Sequence, residues 1–280
     1  MTPLLALAAS APADTVLTPA AAAVLGAVQG LSEFLPISSS AHLYVVPRLL
    51  GWKYSGLSFD VALHGGTLVA LLFAFWRDWW GLTADAIDSR PSERRTDARH
   101  MWLWIVVATV PGAVAGKLLE QIAEDRLRSL PLQAIMLAVF GFVLWGVDRA
   151  VAPGRPGGRP GWGAAIGMGL AQAIALVPGV SRSGITITAG RLAGFSRVAA
   201  ARLSFLLATP ITLGAVLLKV RHMPMDVHPA TLAVGVVTSA VVGILAIRVL
   251  LRWLAHAGFG LFFAYRVALA LLIVGSMIRR

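Results

Sequence analysis

Twice in this chain, 143 positions apart, an apolar run too short to cross a bilayer reaches a proline, passes through a polar turn and resumes as a second short apolar run. In the first copy Gln29 and Glu33 precede Pro36, and Ile37, Ser38, Ser39, Ser40 and His42 follow. In the second, Gln172 precedes Pro178 and Gly179, and Val180, Ser181, Arg182, Ser183 and Thr186 follow. With that offset Gln29 meets Gln172, Ser38 meets Ser181 and Ser40 meets Ser183, and a β-branched residue stands before each polar triplet. A helical span needs about 20 apolar residues, so each copy reads as two half-helices joined by a turn, a re-entrant hairpin. Irregular backbone of this kind survives at membrane depth only where protein or a wet cavity surrounds it.

The rest of the chain supplies that surround. Charged residues make up 13% and hydrophobic ones 58% of the 280 positions, against about 25% charged in a soluble domain. Thr18 and Pro19 suit the cap and first turn of a helix that ends near Leu35, with a second piece over 40–50. Full spans are predicted at 59–76, 101–119 and 131–147, then, after a broken segment over 162–192, at 198–220, 229–250 and 260–278. The stretch 77–100, with five arginines and five acids, reads as a loop, 153–161 as a Pro/Gly-rich linker, and 1–18 as an Ala/Pro-rich lead-in.

The fold class is therefore an all-α polytopic membrane protein. Each half, 19–152 and 162–280, is a re-entrant helical hairpin plus three transmembrane helices. Three is odd, so the second half enters from the opposite side, giving an inverted-topology repeat. One set of loops, including Arg77, Arg149, Arg197 and Arg252, holds thirteen arginines; the other, including Arg48, Lys53, Lys117 and Arg221, holds nine basic residues. Thirteen against nine favours the first set inside and both termini outside, with a dual or reversed topology left open. With no cysteine, disulfides and thiolate metal sites are excluded. The net charge of +11 fits loops facing anionic head groups and a polyanionic ligand, and nucleic acid is not an expected partner.

Glu33 is the one acid well inside an apolar stretch, and an intramembrane carboxylate is costly enough to mark a site. Gln29 lies four residues earlier on the same helical face. Ser38, Ser39 and Ser40 fall at the start of the second half-helix, where free N–H groups and the helix dipole receive anions. His42, in its first turn, can serve as acid, base or nucleophile. His64, beside Gly65 and Gly66, has no such polar company and reads as structural. In the second copy Arg182 offers a forked, permanent charge suited to phosphate oxygens, flanked by Ser181, Ser183 and Thr186. The competing role for Arg182 is an ion pair with Glu33 that only holds the halves together. Arg266, the other deep charge, is either a second phosphate contact or a tether to a carbonyl. No Walker-type loop is present, which argues against nucleotide hydrolysis.

The run from Gln29 through Glu33 to the serines and His42 resembles the motif of the undecaprenyl-pyrophosphate phosphatases, the bacitracin-resistance family. The run from Pro178 through Ser181, Arg182 and Ser183 to Thr186 resembles that family's second motif, and Phe59 to Thr67 its second span. The resemblance implies a bacterial inner-membrane enzyme, multi-pass, with its site facing the extracytoplasmic side. It would hydrolyse undecaprenyl pyrophosphate, and other prenyl pyrophosphates, to the monophosphate and inorganic phosphate. A Mg²⁺ or Ca²⁺ requirement is implied too, with Glu33 as the metal residue. The catalytic glutamate maps to Glu33, the Ser/His pair to Ser39 and His42, the supporting first position to Gln29, and phosphate binding to Ser181, Arg182 and Thr186. Ser38 and Ser183 join that phosphate-binding set from the reading of the two turns.

The nucleophile stays open between Ser39, His42 and a water activated by Glu33. A secondary transporter or lipid flippase shares the expected architecture but needs no nucleophile. Oligomeric state is also open, a homodimer being one option.

Overall fold

The computed structural model describes residues 17–52, 56–125, 127, 129–220 and 227–278. Most of the expected lead-in, residues 1–16, lies outside the described residues, as do Lys53, Arg126, Arg128, Arg221, Arg279 and Arg280 of the loop charge comparison. Eleven helices are formed among the described residues: α1 (Pro19–Phe34), α2 (Ser39–Leu49), α3 (Gly56–Ala74), α4 (Trp76–Ile87), α5 (Glu93–Asp125), α6 (Leu130–Ala150), α7 (Trp162–Ile174), α8 (Arg182–Leu192), α9 (Arg197–Val220), α10 (Pro229–His256) and α11 (Gly260–Ile278). Five are long and apolar enough to cross a membrane: α5, α6, α9, α10 and α11. The bent pair α3–α4, with a 63° break, supplies a sixth. The chain is a multi-pass, all-helical membrane protein.

The two short helix pairs fall where the motifs place them. Thr18 caps α1, its hydroxyl accepting from the Ala21 N–H at 3.2 Å, with Pro19 in the first turn. Leu35, before Pro36, turns to extended backbone at ψ 138° and ends the helix. α7 and α8 repeat the plan, joined through Gly179 at φ +96°.

One expectation fails. Residues 77–100 are not a loop: α4 covers 76–87, and α5 begins at Glu93, well before the expected 101. The charges do not prevent helix formation, because Trp76, Trp79, Trp80, Thr83 and Ile87 recur at helical spacing and leave the charges to the other face. The 153–161 linker is docked rather than free. Arg155 exchanges backbone hydrogen bonds with Gly194 (2.9 Å) and Ser196 (2.8 Å), and its guanidinium lies 4.2 Å from the Phe195 ring centre.

Packing binds the two hairpins into the surrounding spans. α1 lies along α10 and α7 along α5, while α6 pairs with α11 and α3 with α9. The α1–α10 approach is close enough that a Cβ on Gly26 would sit 2.3 Å from the Gly235 carbonyl oxygen. The main core gathers Phe34, Phe75, Trp104, Phe205 and Phe259, with Phe34 meeting Phe205 edge-on at 5.5 Å. Leu72, Phe73, Leu118, Val237, Leu245 and Leu271 point outward, the arrangement a lipid solvent favours.

Candidate active site

The turns at the ends of α1 and α7 bring the two motifs together. Ser38 and Ser181, just before α2 and α8, both hold φ 74°, a region costly for any residue with a Cβ. That reversal aims both short helices' N-termini toward the end of α1. Ser183 Oγ donates to the Leu35 carbonyl at 3.3 Å, closing the gap between the hairpins.

Glu33, 8% exposed, is the centre of the cluster. Its Oε1 accepts from an Arg182 terminal nitrogen. Its Oε2 accepts from Ser39 Oγ at 2.6 Å and from Gln29 Nε2 at 3.0 Å. His64 Nε2 stands 3.5 Å from the same oxygen. The expectation that His64 has no polar company is therefore overturned. α3 packs beside α1 and turns the ring toward the carboxylate. Its Nδ1 donates to the Asp60 carbonyl at 2.7 Å, which leaves Nε2 facing Glu33.

Arg182 is held from two sides, donating a second bond to Thr212 Oγ1 at 2.8 Å. The Arg182–Glu33 pair weighed from sequence is thus formed. It stands inside a group of hydroxyls that an ion pair alone does not require. The remaining phosphate-binding candidates line the same turns. Ser181 Oγ accepts from the Gly184 N–H at 3.2 Å and lies 3.3 Å from Ser183 Oγ; Ser38 Oγ lies 3.2 Å from Ser40 Oγ. Thr186 sits one turn deeper, donating to the Arg182 carbonyl at 2.7 Å and pairing with Ser204 Oγ at 2.6 Å.

Both ring nitrogens of His42 bond away from the Glu33 carboxylate. Its Nδ1 lies 2.7 Å from the Ser38 carbonyl, which can only accept, so Nδ1 carries the proton. Nε2 then accepts from Tyr265 Oη at 2.7 Å. Both ring nitrogens are engaged, and the ring lies parallel to Tyr265 within 5°.

Arg266 resolves as a tether. It is fully buried and donates to five carbonyls: Leu137 (2.8 Å), Pro36 (3.3 Å), Met136 (3.1 Å), Gly179 (2.8 Å) and Val180 (3.0 Å). Two of these belong to the second turn and one to the first, so a single guanidinium ties both turns to α6 and α11.

Chemically, the cluster can bind an anion at two helix N-termini and a guanidinium, and can deprotonate a hydroxyl at Glu33. Sequence reasoning missed His64, Thr212, Ser204 and Tyr265. Thr212, Ser204 and Tyr265 come from spans whose local sequence carries no motif, whereas His64 lies in the Phe59–Thr67 stretch whose resemblance assigned it no role.

Residues 22–272 match the family model described as bacitracin resistance protein BacA. A protein of Pelotomaculum thermopropionicum named undecaprenyl-diphosphatase is 49% identical over 90% of this chain and 94% of its own length. One of Moorella thermoacetica with the same name is 47% identical over 90% and 95%. A third, of Gemmatimonas aurantiaca and again so named, is 46% identical over 92% and 98%.

Proposed function

The chain belongs to the bacitracin resistance protein BacA family, and we propose that the Glu33–Arg182 cluster is where it acts as an undecaprenyl-diphosphatase. It converts undecaprenyl pyrophosphate and water to undecaprenyl phosphate and inorganic phosphate, and the family name ties that hydrolysis to bacitracin resistance. The observation that carries the site assignment is the bond from Ser39 Oγ to Glu33 Oε2 at 2.6 Å, beside the Arg182 guanidinium. A hydroxyl on a buried carboxylate, next to a phosphate-binding fork, is the arrangement of an activated nucleophile.

In this reading the terminal phosphate enters between the N-termini of α2 and α8. Arg182 turns part of its fork from Glu33 to the phosphoryl oxygens, with Ser181, Ser183 and Ser38 offering further donors. Thr186 and Thr212 hold the Arg182 backbone and side chain in place. Ser39 Oγ attacks the terminal phosphorus as its proton passes to Glu33. The bond to the bridging oxygen breaks, and undecaprenyl phosphate leaves. Water then attacks the phosphoserine: its hydroxide goes to phosphorus and releases inorganic phosphate, the proton held by Glu33 returns to Ser39 Oγ, and Glu33 takes the water's proton and passes it to solvent or product. His64, with Nδ1 fixed on Asp60 and Nε2 toward Glu33, is placed to share that proton. His42, with both nitrogens occupied, is the weaker nucleophile candidate and instead fixes the Ser38 turn.

A divalent cation fits this site only as one shared with substrate. Among the described residues no cluster of three His, Asp or Glu is found. Gln29 Oε1, however, is buried without a hydrogen-bond partner beside the Glu33 carboxylate. These two residues would hold a Mg²⁺ or Ca²⁺ whose other ligands are phosphate oxygens, a common Mg²⁺ arrangement. When bound, the ion would neutralise pyrophosphate charge.

We further place the enzyme in the bacterial plasma membrane with its site on the extracytoplasmic side, and read its halves as an inverted repeat. The matching hairpins and the reciprocal packing of α1 on α10 and α7 on α5 support the repeat.

The test is phosphate release from detergent-solubilised undecaprenyl pyrophosphate with added Mg²⁺ or Ca²⁺. Ser39→Ala and Arg182→Ala should abolish it while the protein stays folded. An acid-stable phosphoserine in a quenched wild-type reaction is expected; an acid-labile adduct would move the nucleophile to His42, and no adduct would favour direct attack by water.

A further inference from the structure

Well away from that cluster, the ends of four helices border an open, charged cavity that the hydrolysis does not use. It has a volume of about 430 Å³ and is lined by Trp145, Asp148, Arg149, Arg197, Trp253 and the turn leading into α11. Arg182 and Arg191 lie on the same helix, α8, separated by about 14 Å along its axis. Arg182 holds Glu33 at one end, and Arg191 holds Asp148 at the other.

The charges here do not cancel. Asp148, 4% exposed, accepts from Arg191 Nε at 3.1 Å and from Arg197 Nε at 2.8 Å. Arg191 directs its two terminal nitrogens to the carbonyls of Phe195, Val151 and Ala152. Arg197 spends only its Nε on the carboxylate. Among the described residues its two terminal nitrogens have no hydrogen-bond acceptor. Among the described residues Arg149 has no carboxylate partner; its guanidinium lies 5.4 Å from the Trp145 ring centre. Two guanidinium groups, Arg191 and Arg197, bind the one carboxylate, and Arg149 and Arg197 line the open cavity beside it, so the wall carries more positive than negative charge. Gly260 and Leu261, the first residues of α11, line the same space and bring the positive end of a helix dipole to it. Trp253 Nε1 is fixed on the Gly258 carbonyl at 3.2 Å, and Trp145 stacks on Phe263 at 5.2 Å, so the aromatic walls are held in place. Tryptophans beside arginines at span ends belong at the head-group level of a membrane.

We propose that this cavity is a second, non-catalytic anion site that receives a phosphate group at Arg149 and Arg197, with the head group of an anionic phospholipid as the occupant the membrane supplies. The shared chemistry is a phosphate oxygen set, which a free phosphate ion also offers.

The test uses the full-length protein in zwitterionic detergent, with native mass spectrometry to count retained lipid and thermal unfolding to read stabilisation. The probes are phosphatidylglycerol, phosphatidylcholine and inorganic phosphate. Wild type should retain phosphatidylglycerol in preference to phosphatidylcholine and unfold at a higher temperature with it. Arg149→Gln, which breaks no protein hydrogen bond, should weaken that retention by about tenfold, and Arg197→Gln should do the same. Stabilisation of wild type by inorganic phosphate, lost in both variants, would support the site with a free ion as its occupant. Equal retention of the two lipids by wild type, or phosphatidylglycerol retention unchanged in both variants, would overturn the proposal. Arg149→Gln should keep its phosphate release, and Glu33→Ala should keep its lipid, so this site and the catalytic reading fail separately.

Discussion

Ser38 and Ser181, 143 positions apart, share φ 74° and are the non-glycine residues at positive φ among those described. Each immediately precedes a short helix whose N-terminus points into the Glu33–Arg182 cluster. Strain of this kind costs about 1–3 kcal/mol per residue, and glycine at such a position gives back about 0.5–1 kcal/mol in chain entropy. Ser38→Gly and Ser181→Gly should therefore hold or raise the thermal unfolding midpoint. Ser38→Val, with a β-branched side chain at the same φ, should lower it. Because the Ser38 hydroxyl serves the turn rather than Glu33, Ser38→Gly should slow phosphate release less than Ser39→Ala does. A lower midpoint for both glycine variants would show that the turns are relaxed.

Arg182 reaches Glu33 and Thr212 at once, which needs two nitrogens of a planar fork. Arg182→Lys keeps the charge but not that geometry. Its phosphate release should fall by at least about 10²-fold, in the range seen when one transition-state donor is lost. Because Glu33 and Arg182 act on each other, Glu33→Ala and Arg182→Ala should be far from additive in a double-mutant cycle. Additive losses in kcat/KM would separate the two residues.

Half of this cluster was legible in the sequence and half was not, for a physical reason. Gln29 and Glu33 sit at helical spacing, and the Pro–Ser turn marks where the helix must stop, so one segment reveals both the geometry and the chemistry. Arg182 is marked by its own turn. His64, Thr212 and Tyr265 act through tertiary packing from α3, α9 and α11; the residues around Thr212 and Tyr265 read as ordinary span, and the Phe59–Thr67 stretch around His64 gave it no partner. Arg266 announced itself as a buried charge, but its five acceptors are backbone carbonyls, which no side-chain pattern encodes. The misread 77–100 stretch shows the converse. Its charge density masked a helical spacing of tryptophans that was visible all along.

The two histidines separate by their partners. His64 Nε2 faces Glu33, whereas His42 Nε2 is occupied by Tyr265. His64→Ala should lower phosphate release by about 10²-fold or more, the usual scale for a proton-transfer group. Tyr265→Phe removes one hydrogen bond, worth about 1 kcal/mol, and should slow turnover by less than about tenfold. Measured kcat values in the reverse order would give the proton-handling role to His42.

Arg266 should be a stability residue. Arg266→Met would leave several buried carbonyls in the hairpin turns without a donor, each costing about 1–3 kcal/mol. The variant should lose more than about 3 kcal/mol and a corresponding share of folded yield. Lysine should not rescue it, since one ammonium offers three donors from a single point. Normal thermal stability in detergent for Arg266→Met would show that the turns stand without the tether.

Gln29 Oε1 is a buried oxygen without a hydrogen-bond partner, on the side chain whose Nε2 donates to the reactive carboxylate. If a divalent ion is shared between the phosphate and this pair, Gln29→Glu adds a second negative oxygen donor and should lower the Mg²⁺ or Ca²⁺ concentration giving half-maximal phosphate release. Without an ion, two carboxylates at this separation repel, so the same variant should be less stable than wild type in chelator and recover on adding the ion. Gln29→Leu removes the oxygen without adding charge and should raise the ion concentration required. Identical ion dependence in all three proteins would remove Gln29 from any metal role and leave Nε2, which supports Glu33, as its functional atom.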